Sequence, residues 1–377
     1  MMRPGERRSL TAGLILFARL TYSLQWFVLS PALAQVASEG QVPTNLLGLV
    51  PVAFFLAAGV AQIPSIYVAE RLGPGRTYVL GLLLLAAGNM LLPLDFSTFG
   101  LFGTRMLSGV GAALFFASAG GALSRLYSDK PGLMMGLYNA AFALGGGVGL
   151  AWGVLHEVLG WRWAMELSGA LAVVVAALNF IALRWTNGSA APRIGGLTSL
   201  FSDRTVVAVG LSYVGVWGSY FAVGQLLPAY EQIALGESVS LSGLTSSLLL
   251  FPSIVGGFFS VAYDLVKRKK LLLALSAVPA TVPAALISVG RVDVILVSVL
   301  VMGFFNEMSM SMLYAYVVAI PKGNPTATLA TVNTMHMLMG MWLAPLLSLT
   351  STVSWTLGWV LVGLVPLMPL VLLARPK

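Results

Sequence analysis

Apolar runs long enough to cross a bilayer recur from one end of this chain to the other, separated by short segments rich in turn residues and charge. A helix rising ~1.5 Å per residue needs about twenty predominantly apolar residues to span roughly 30 Å of hydrocarbon. Twelve segments, helices 1 to 12 in order, meet that need: 10–36, 45–69, 77–94, 98–125, 133–157, 162–184, 205–234, 240–265, 271–289, 293–320, 327–350 and 355–374. Lipid offers the backbone no hydrogen bonds, so such segments must be helical and the expected class is an all-α polytopic membrane protein. Composition points the same way. Of 377 residues 58% are hydrophobic and 9% charged, with mean hydropathy +0.90, which leaves too little polar surface to cover a soluble fold. The basic start MMRPGERR runs into a helix too long for a signal h-region, so no cleavable signal peptide is expected. The chain has no cysteine, which excludes disulfides and thiolate metal sites.

Charge sets the orientation. With the N-terminus inside, the cytoplasmic face receives Arg3, Arg7 and Arg8, then Arg71 and Arg76, Arg125 and Lys130, Arg184, Arg193 and Arg204, the run Lys267 to Lys270, Lys322, and Arg375 and Lys377. Only Arg162 and Arg291 fall outside. Basic residues near helix ends resist translocation, so both termini are expected in the cytoplasm and the protein in the inner (cytoplasmic) membrane. The net charge of +8 is dispersed among short loops and does not mark a nucleic-acid partner.

The chain repeats itself at a constant offset of 194 residues: Glu70 aligns with Asp264, Gly109 with Gly303, Pro131 with Pro325, Asn139 with Asn333 and Trp161 with Trp355. Five coincidences in order, each at the equivalent place, imply two six-helix halves, 1–185 and 205–377. The polar, Gly-rich 186–204 is their cytoplasmic linker. Parallel halves related by an axis along the membrane normal form a transporter architecture with substrate between them.

Three motifs give a family resemblance that covers essentially the whole chain. VAERLGPGRTYVLG, Val68 to Gly81, resembles the acidic-Arg-x-Gly-x-x-Arg loop after helix 2 of the major facilitator superfamily, carried here by Glu70, Arg71, Gly73 and Arg76. RMLSGVGAA from Arg105 resembles the family's helix-4 pattern, and GWRW, Gly160 to Trp163, its helix 5 to 6 turn. YDLVKRKK around Asp264 is a weaker second copy of the loop. The sequence departs from the pattern at Ile66, where a small residue is usual, and GGGVG from Gly145 lacks the proline of the antiporter signature. The GPGR loop is more similar to anion-carrying branches. The resemblance implies a cytoplasmic gate in which Glu70 meets Arg125 and the start of helix 11 near Thr326, with Arg71, Arg76 and Asp264 around it. Physically, a carboxylate at a helix C-terminus opposes that helix's dipole and seeks a cation or another helix's N-terminus.

Three ionisable residues stand out within helices: Arg19, Arg105 and Glu307. Arg19 is about nine residues into helix 1 and Glu307 about fourteen into helix 10, roughly 14 and 20 Å from the helix ends and so deep. Each costs about 2.5–3.5 kcal/mol on insertion scales, which demands partners or a shared polar chamber. In the family, helices 1, 4, 7 and 10 line the cavity, and these charges fall on 1, 4 and 10. Arginine keeps its proton and offers a planar fork to carboxylates, so Arg19 is the first candidate for an anionic substrate and Arg105 the second. Tyr22 and Trp26 share the face of Arg19, helix 7 adds Tyr220 and Gln225, and Asn306 neighbours Glu307. Asn139, Asn333 and His336 are further substrate-binding candidates, each equally able to join helices. Glu307, the one carboxylate near the membrane centre, is the proton-coupling candidate. Burial disfavours its charge and an arginine restores it, so the pair could exchange a proton. The alternative is an ion pair that only locks the halves together.

Met308, Met310 and Met312 spread around the helix as packing rather than a metal site, and His156 with Glu157 does not make a zinc constellation. No nucleophile–base pair or phosphate loop is visible, so an enzyme is not expected, nor a cofactor. The expectation is a functional monomer in membrane lipid: a secondary active transporter working by alternating access, coupling protons to symport of a small organic anion such as a monocarboxylate or sugar acid. A proton-coupled multidrug or lipid-like efflux antiporter is the alternative. A sensor keeping the same fold would normally append soluble domains.

Overall fold

The structure, a computed structural model, describes residues 4–127, 129, 131–183, 201, 203–260, 262–320 and 325–374. Helix occupies all twelve expected segments. Ten are long and apolar enough to cross a membrane: Glu6–Glu39, Thr44–Leu72, Thr98–Leu126, Leu133–Leu159, Trp161–Ala182, Arg204–Leu235, Val239–Leu265, Lys269–Ile287, Val292–Val317 and Trp355–Ala374. Pro74–Leu91 supplies helix 3, and Pro325–Gly340 followed by Leu343–Thr350 supplies helix 11. Arg3, Lys130, Arg184, Arg193, Lys322, Arg375 and Lys377 lie outside the described residues, as does nearly all of the linker. At its end Asp203 caps helix 7, its carboxylate accepting from the Thr205 and Val206 N–H groups.

Several expected single helices are broken. Helix 8 runs as Val239–Ser247, Phe251–Phe259 and Ala262–Leu265. Pro252, in the first turn of the middle piece, has no N–H to continue the preceding ladder. Helix 12 tightens into a 3-10 helix over Val365–Ala374, where Pro366 and Pro369 each remove a donor. Helix 1 is interrupted near Pro31 by a short 3-10 turn, Ser30–Ala32.

The duplication read from the sequence reappears in the packing. Helix 4 packs on helices 2 and 3 and helix 1 on helix 5, while helix 10 packs on helices 8 and 9 and helix 7 on helix 11. The closest approaches also correspond. A Cβ on Gly109 of helix 4 would run into the Phe54 carbonyl of helix 2, and one on Gly303 of helix 10 into the Leu249 carbonyl of helix 8. Likewise Gly145 of helix 5 lies against the Leu20 carbonyl of helix 1, and Gly340 of helix 11 against the Val214 carbonyl of helix 7. Helix association in lipid depends on such close backbone packing, because lipid tails are as apolar as the side chains.

Gly303→Val should therefore destabilise the fold by roughly 1–3 kcal/mol through overpacking against a backbone that cannot yield. Gly13→Ala, whose Cβ meets nothing, should have no measurable effect. Melting temperatures of the two variants in detergent check this.

Candidate functional site

Arg19 sits mid-helix with 4% of its surface exposed and no carboxylate in contact among the described residues. Aromatic rings replace the counter-ion. Its guanidinium carbon lies 4.7 Å from the ring centre of Tyr22, 5.1 Å from Phe116, 4.2 Å from Tyr138 and 4.6 Å from Phe142. Each such contact contributes about 0.5–2 kcal/mol. Four together offset the about 2.5–3.5 kcal/mol that a mid-bilayer charge costs. The rings attract charge without accepting strong hydrogen bonds, and Nε and Nη1 of Arg19 are buried with no partner. Tyr22 and Trp26 do share the Arg19 face, at 5.3 Å between ring centres.

Glu307 lies on helix 10 (Val292–Val318) beside a cavity of about 200 Å³. Asn139 of helix 5, Ser253 and Ser260 of helix 8, and Ser311 one turn along helix 10 line it too. The Ser311 hydroxyl donates to Glu307 Oε1 at 3.2 Å. No base within ion-pair distance meets Glu307 among the described residues, so the expected direct pair with Arg19 or Arg105 is not present in this conformation. Arg19 is nevertheless within Coulombic range of Glu307, and Tyr314 is within range of both. The chamber thus separates one cation from one carboxylate rather than fusing them.

On the side away from the termini an aromatic cluster joins the halves. Phe221 of helix 7 stacks on Phe27 at 5.9 Å and meets Trp26 at 5.8 Å and Phe55 at 5.3 Å, while Trp217 meets Phe55 at 5.0 Å. Beyond it, Ser30 donates to Gln225 Oε1 at 2.9 Å, and Gln225 donates to the Trp26 carbonyl at 3.2 Å. Ser348 of helix 11 bonds both the Gly48 N–H and the Asn45 carbonyl. Glu157 accepts from the Ser240 N–H at 2.8 Å, bringing helix 5 against helix 8. The halves are closed at this far end, and at the end that bears the termini a cleft of about 390 Å³ lies between helices 5 and 8.

The remaining candidates divide between cavity and scaffold. Asn139 faces the cavity, and Tyr220 reaches Ser253 on its wall at 3.0 Å. Arg105 is occupied instead by the Trp26 carbonyl at 3.3 Å and Asn89 at 3.5 Å, under the Phe54 ring at 4.7 Å. Asn306 donates to the Val216 carbonyl at 3.2 Å, and His336 Nε2 lies 3.1 Å from the Gly210 carbonyl, so both join helices. Asn333 is buried with Nδ2 unpartnered. At the terminus-bearing end Glu70, Arg71 and Arg76 are exposed, Arg125 keeps an unpartnered Nε, and no ion pair joins Glu70 to Arg125. The Thr326 side chain lies outside the described residues.

Sequence reasoning missed the cage rings Phe116, Tyr138 and Phe142, the seal residues Phe55, Trp217 and Phe221, and a second buried carboxylate, Glu231 of helix 7, 1% exposed with Oε2 unpartnered. Glu231 had a visible signal, an acid inside the apolar stretch 205–234.

A duplicated helical bundle holding a charged chamber where its halves meet defines a membrane transporter. The chain belongs to the Major Facilitator Superfamily, whose family model matches residues 15–345. It is 27% identical over 257 residues to the cyanate transport protein CynX of Escherichia coli, covering 66% of this chain and 64% of that protein, slightly under two thirds of its length. It is 24% identical over 294 residues to the uncharacterized transporter YycB of Bacillus subtilis, covering 75% and 71%. Over a shorter 174 residues it is 29% identical to the puromycin resistance protein pur8 of Streptomyces alboniger, covering 45% and 35%. The inward-facing, occupied structure of a bacterial homolog of the human lysosomal transporter Spinster shares its fold, with TM-score 0.73 at 14% identity over 99% of this chain and 96% of that one. The first two of these relatives are named as transport proteins.

Phe221→Ala should weaken the far-end seal, since loss of a buried Phe costs roughly 3–5 kcal/mol and these contacts exist only while the halves touch there. With Asn139→Cys as the sole thiol, a membrane-impermeant maleimide supplied at the far face should label Phe221→Ala proteoliposomes and spare those with Phe221 intact.

Proposed function

We propose that this transporter carries a small monovalent anion coupled to protons, as a monomer in the cytoplasmic membrane with both termini inside. The observation that carries the reading is the pair of buried, unpartnered N–H donors on Arg19. A buried guanidinium with unbonded donors attracts a small anion, and a bond to either edge satisfies a group that otherwise stays desolvated. A cyanate transport protein among the relatives supports a substrate of that charge and of small size. Glu307 is the coupling group. Protonated, it leaves Arg19 free for the anion; ionised, it competes electrostatically for the same cation. The cleft at the terminus-bearing end and the far-end aromatic seal describe an inward-facing member of an alternating-access cycle.

The second reading, drug efflux, is favoured by the aromatic lining and the puromycin and methylenomycin A resistance relatives. There the rings would hold hydrophobic cations and Glu307 would exchange protons against them.

Thermal stability of the purified protein with acetate, lactate, gluconate and cyanate, against hydrophobic cationic drugs, at two pH values separates them, because ligand binding raises apparent stability. Anions should raise the melting temperature of the wild type, and Arg19→Gln should abolish the shift while remaining folded. Stabilisation by the drugs alone overturns the reading. Glu307→Gln should still bind anion but lose accumulation driven by a proton gradient, with a flat pH profile in uptake assays.

A further inference from the structure

We infer that the cleft between helices 5 and 8 is a proton path between Glu307 and the terminus-bearing face, built apart from the anion site at Arg19. The inference rests on Glu307 being the coupling group, as proposed above.

Two cavities make the route. The inner one, about 200 Å³, contains Glu307 and Ser311. The outer one, about 390 Å³, reaches Tyr263 and the exposed Asp264 at the terminus-bearing end. They share Gly136, Ala140, Gly257, Phe258 and Ser260 as walls, so each continues into the other. Sequence spacing lays out a polar stripe along the route. On helix 8, Ser253, Gly257, Ser260 and Asp264 recur four, three and four residues apart. On helix 10, Glu307, Ser311 and Ala315 recur every four. Helix 8 turns at Ser260, so it is the cavity walls that align the stripe, with Asp264 at the mouth and Ser253 beside Glu307.

Small residues keep the cleft wide. A Cβ on Gly136 would meet nothing within 4 Å, and one on Gly257 would meet only the Glu307 Cγ at 3.5 Å. Glu307 retains partial exposure, whereas Arg19, held behind its rings, has Nε and Nη1 out of reach of solvent. The charged and titratable groups facing Glu307 are Arg19 of helix 1, Tyr220 of helix 7 and Tyr314 of its own helix. Helices 5 and 8 add Asn139 and Ser253 to the inner wall, with Tyr263 and Asp264 at the mouth. The step is a transfer from hydronium to the Glu307 carboxylate: one O–H bond breaks, one forms, and water remains. Asp264 concentrates protons at the mouth. Entry and anion binding are thereby separated, so the carboxylate loads while the guanidinium is shielded.

The test is labelling of the Glu307 carboxyl by a membrane-impermeant water-soluble carbodiimide with glycine ethyl ester, added at the terminus-bearing side of proteoliposomes and read by mass spectrometry. Wild type should label at Glu307, and Gly136→Trp, which fills the cleft, should label several-fold more slowly. Gly13→Trp, exposed on helix 1, should match wild type. Gly257→Cys gives the same test after folding, since a thiol reagent can then plug the cleft in a chain with no other cysteine. Undiminished labelling in both plugged forms overturns the route. Proton-coupled uptake of acetate distinguishes the two levels. If uptake is pH-independent in wild type, the coupling reading fails with it. If Glu307→Gln abolishes coupling while plugging leaves labelling unchanged, only the route fails.

Discussion

Lipid does not tolerate a bare charge, and the way this protein houses Arg19 organises the rest of its interior. A carboxylate in contact would have been the obvious partner, and the sequence offers one in Glu307. The fold uses four ring faces drawn from helices 1, 4 and 5, all within the N-terminal half. The difference is chemical. An ion pair consumes the guanidinium's donors, while an aromatic cage compensates its charge and leaves two of them unmade. Glu307, freed from pairing, stays within electrostatic reach on the opposite half. A buried pair locks two elements together; a separated one can respond when either member gains a ligand.

The duplicated halves explain how such a chamber can be open at one end only. Each half repeats the same glycine crossings, helix 4 over helix 2 and helix 10 over helix 8, so each is internally rigid. Contacts between halves include glycine crossings at the far end, Gly48 against the Ala344 carbonyl and Gly243 against the Leu150 carbonyl, together with aromatic edges, the Gln225 and Ser348 hydrogen bonds, and the Glu157 cap on helix 8. These are smaller and more polar than the contacts within a half. The cheapest motion is therefore one bundle rocking on the other. At the terminus-bearing end Glu70 and Arg125, both of the N-terminal half, form no ion pair with each other.

The sequence made the helices, the repeat and the embedded charges visible because each is written in local order: apolar length, a fixed offset, an ionisable residue in a greasy run. Helix 10 was expected at 293–320 and runs Val292–Val318. What escaped was whatever depends on which faces meet. Phe116, Tyr138 and Phe142 are ordinary apolar-helix residues until helices 1, 4 and 5 bring them around one guanidinium. Arg105 illustrates the converse. Its position matched the family pattern, yet its Nη1 and Nη2 donate to Asn89 and the Trp26 carbonyl while Nε stays unbonded, bracing helices within one half. A charge in a membrane helix announces that a partner exists without saying whether that partner is substrate or scaffold.

Selectivity follows from the same geometry. A proton needs only a carboxylate and a file of hydroxyls, and the cleft between helices 5 and 8 presents Ser253, Ser260 and Ser311 beside Glu307. An anion needs a cation with open donors, and that cation is screened from the cleft by rings that must move before it can be reached. A small carboxylate entering the cleft meets an acid at the mouth, Asp264, with Lys269 beside it over the Tyr263 ring, and another acid at the end, Glu307. With Glu307 ionised, both groups repel it; with Glu307 protonated, the inner barrier vanishes and the positive field of Arg19 extends into the cavity. Proton first, anion second is then the order the electrostatics impose, and the coupling lies in the sequence of events rather than in a contact between the two ligands.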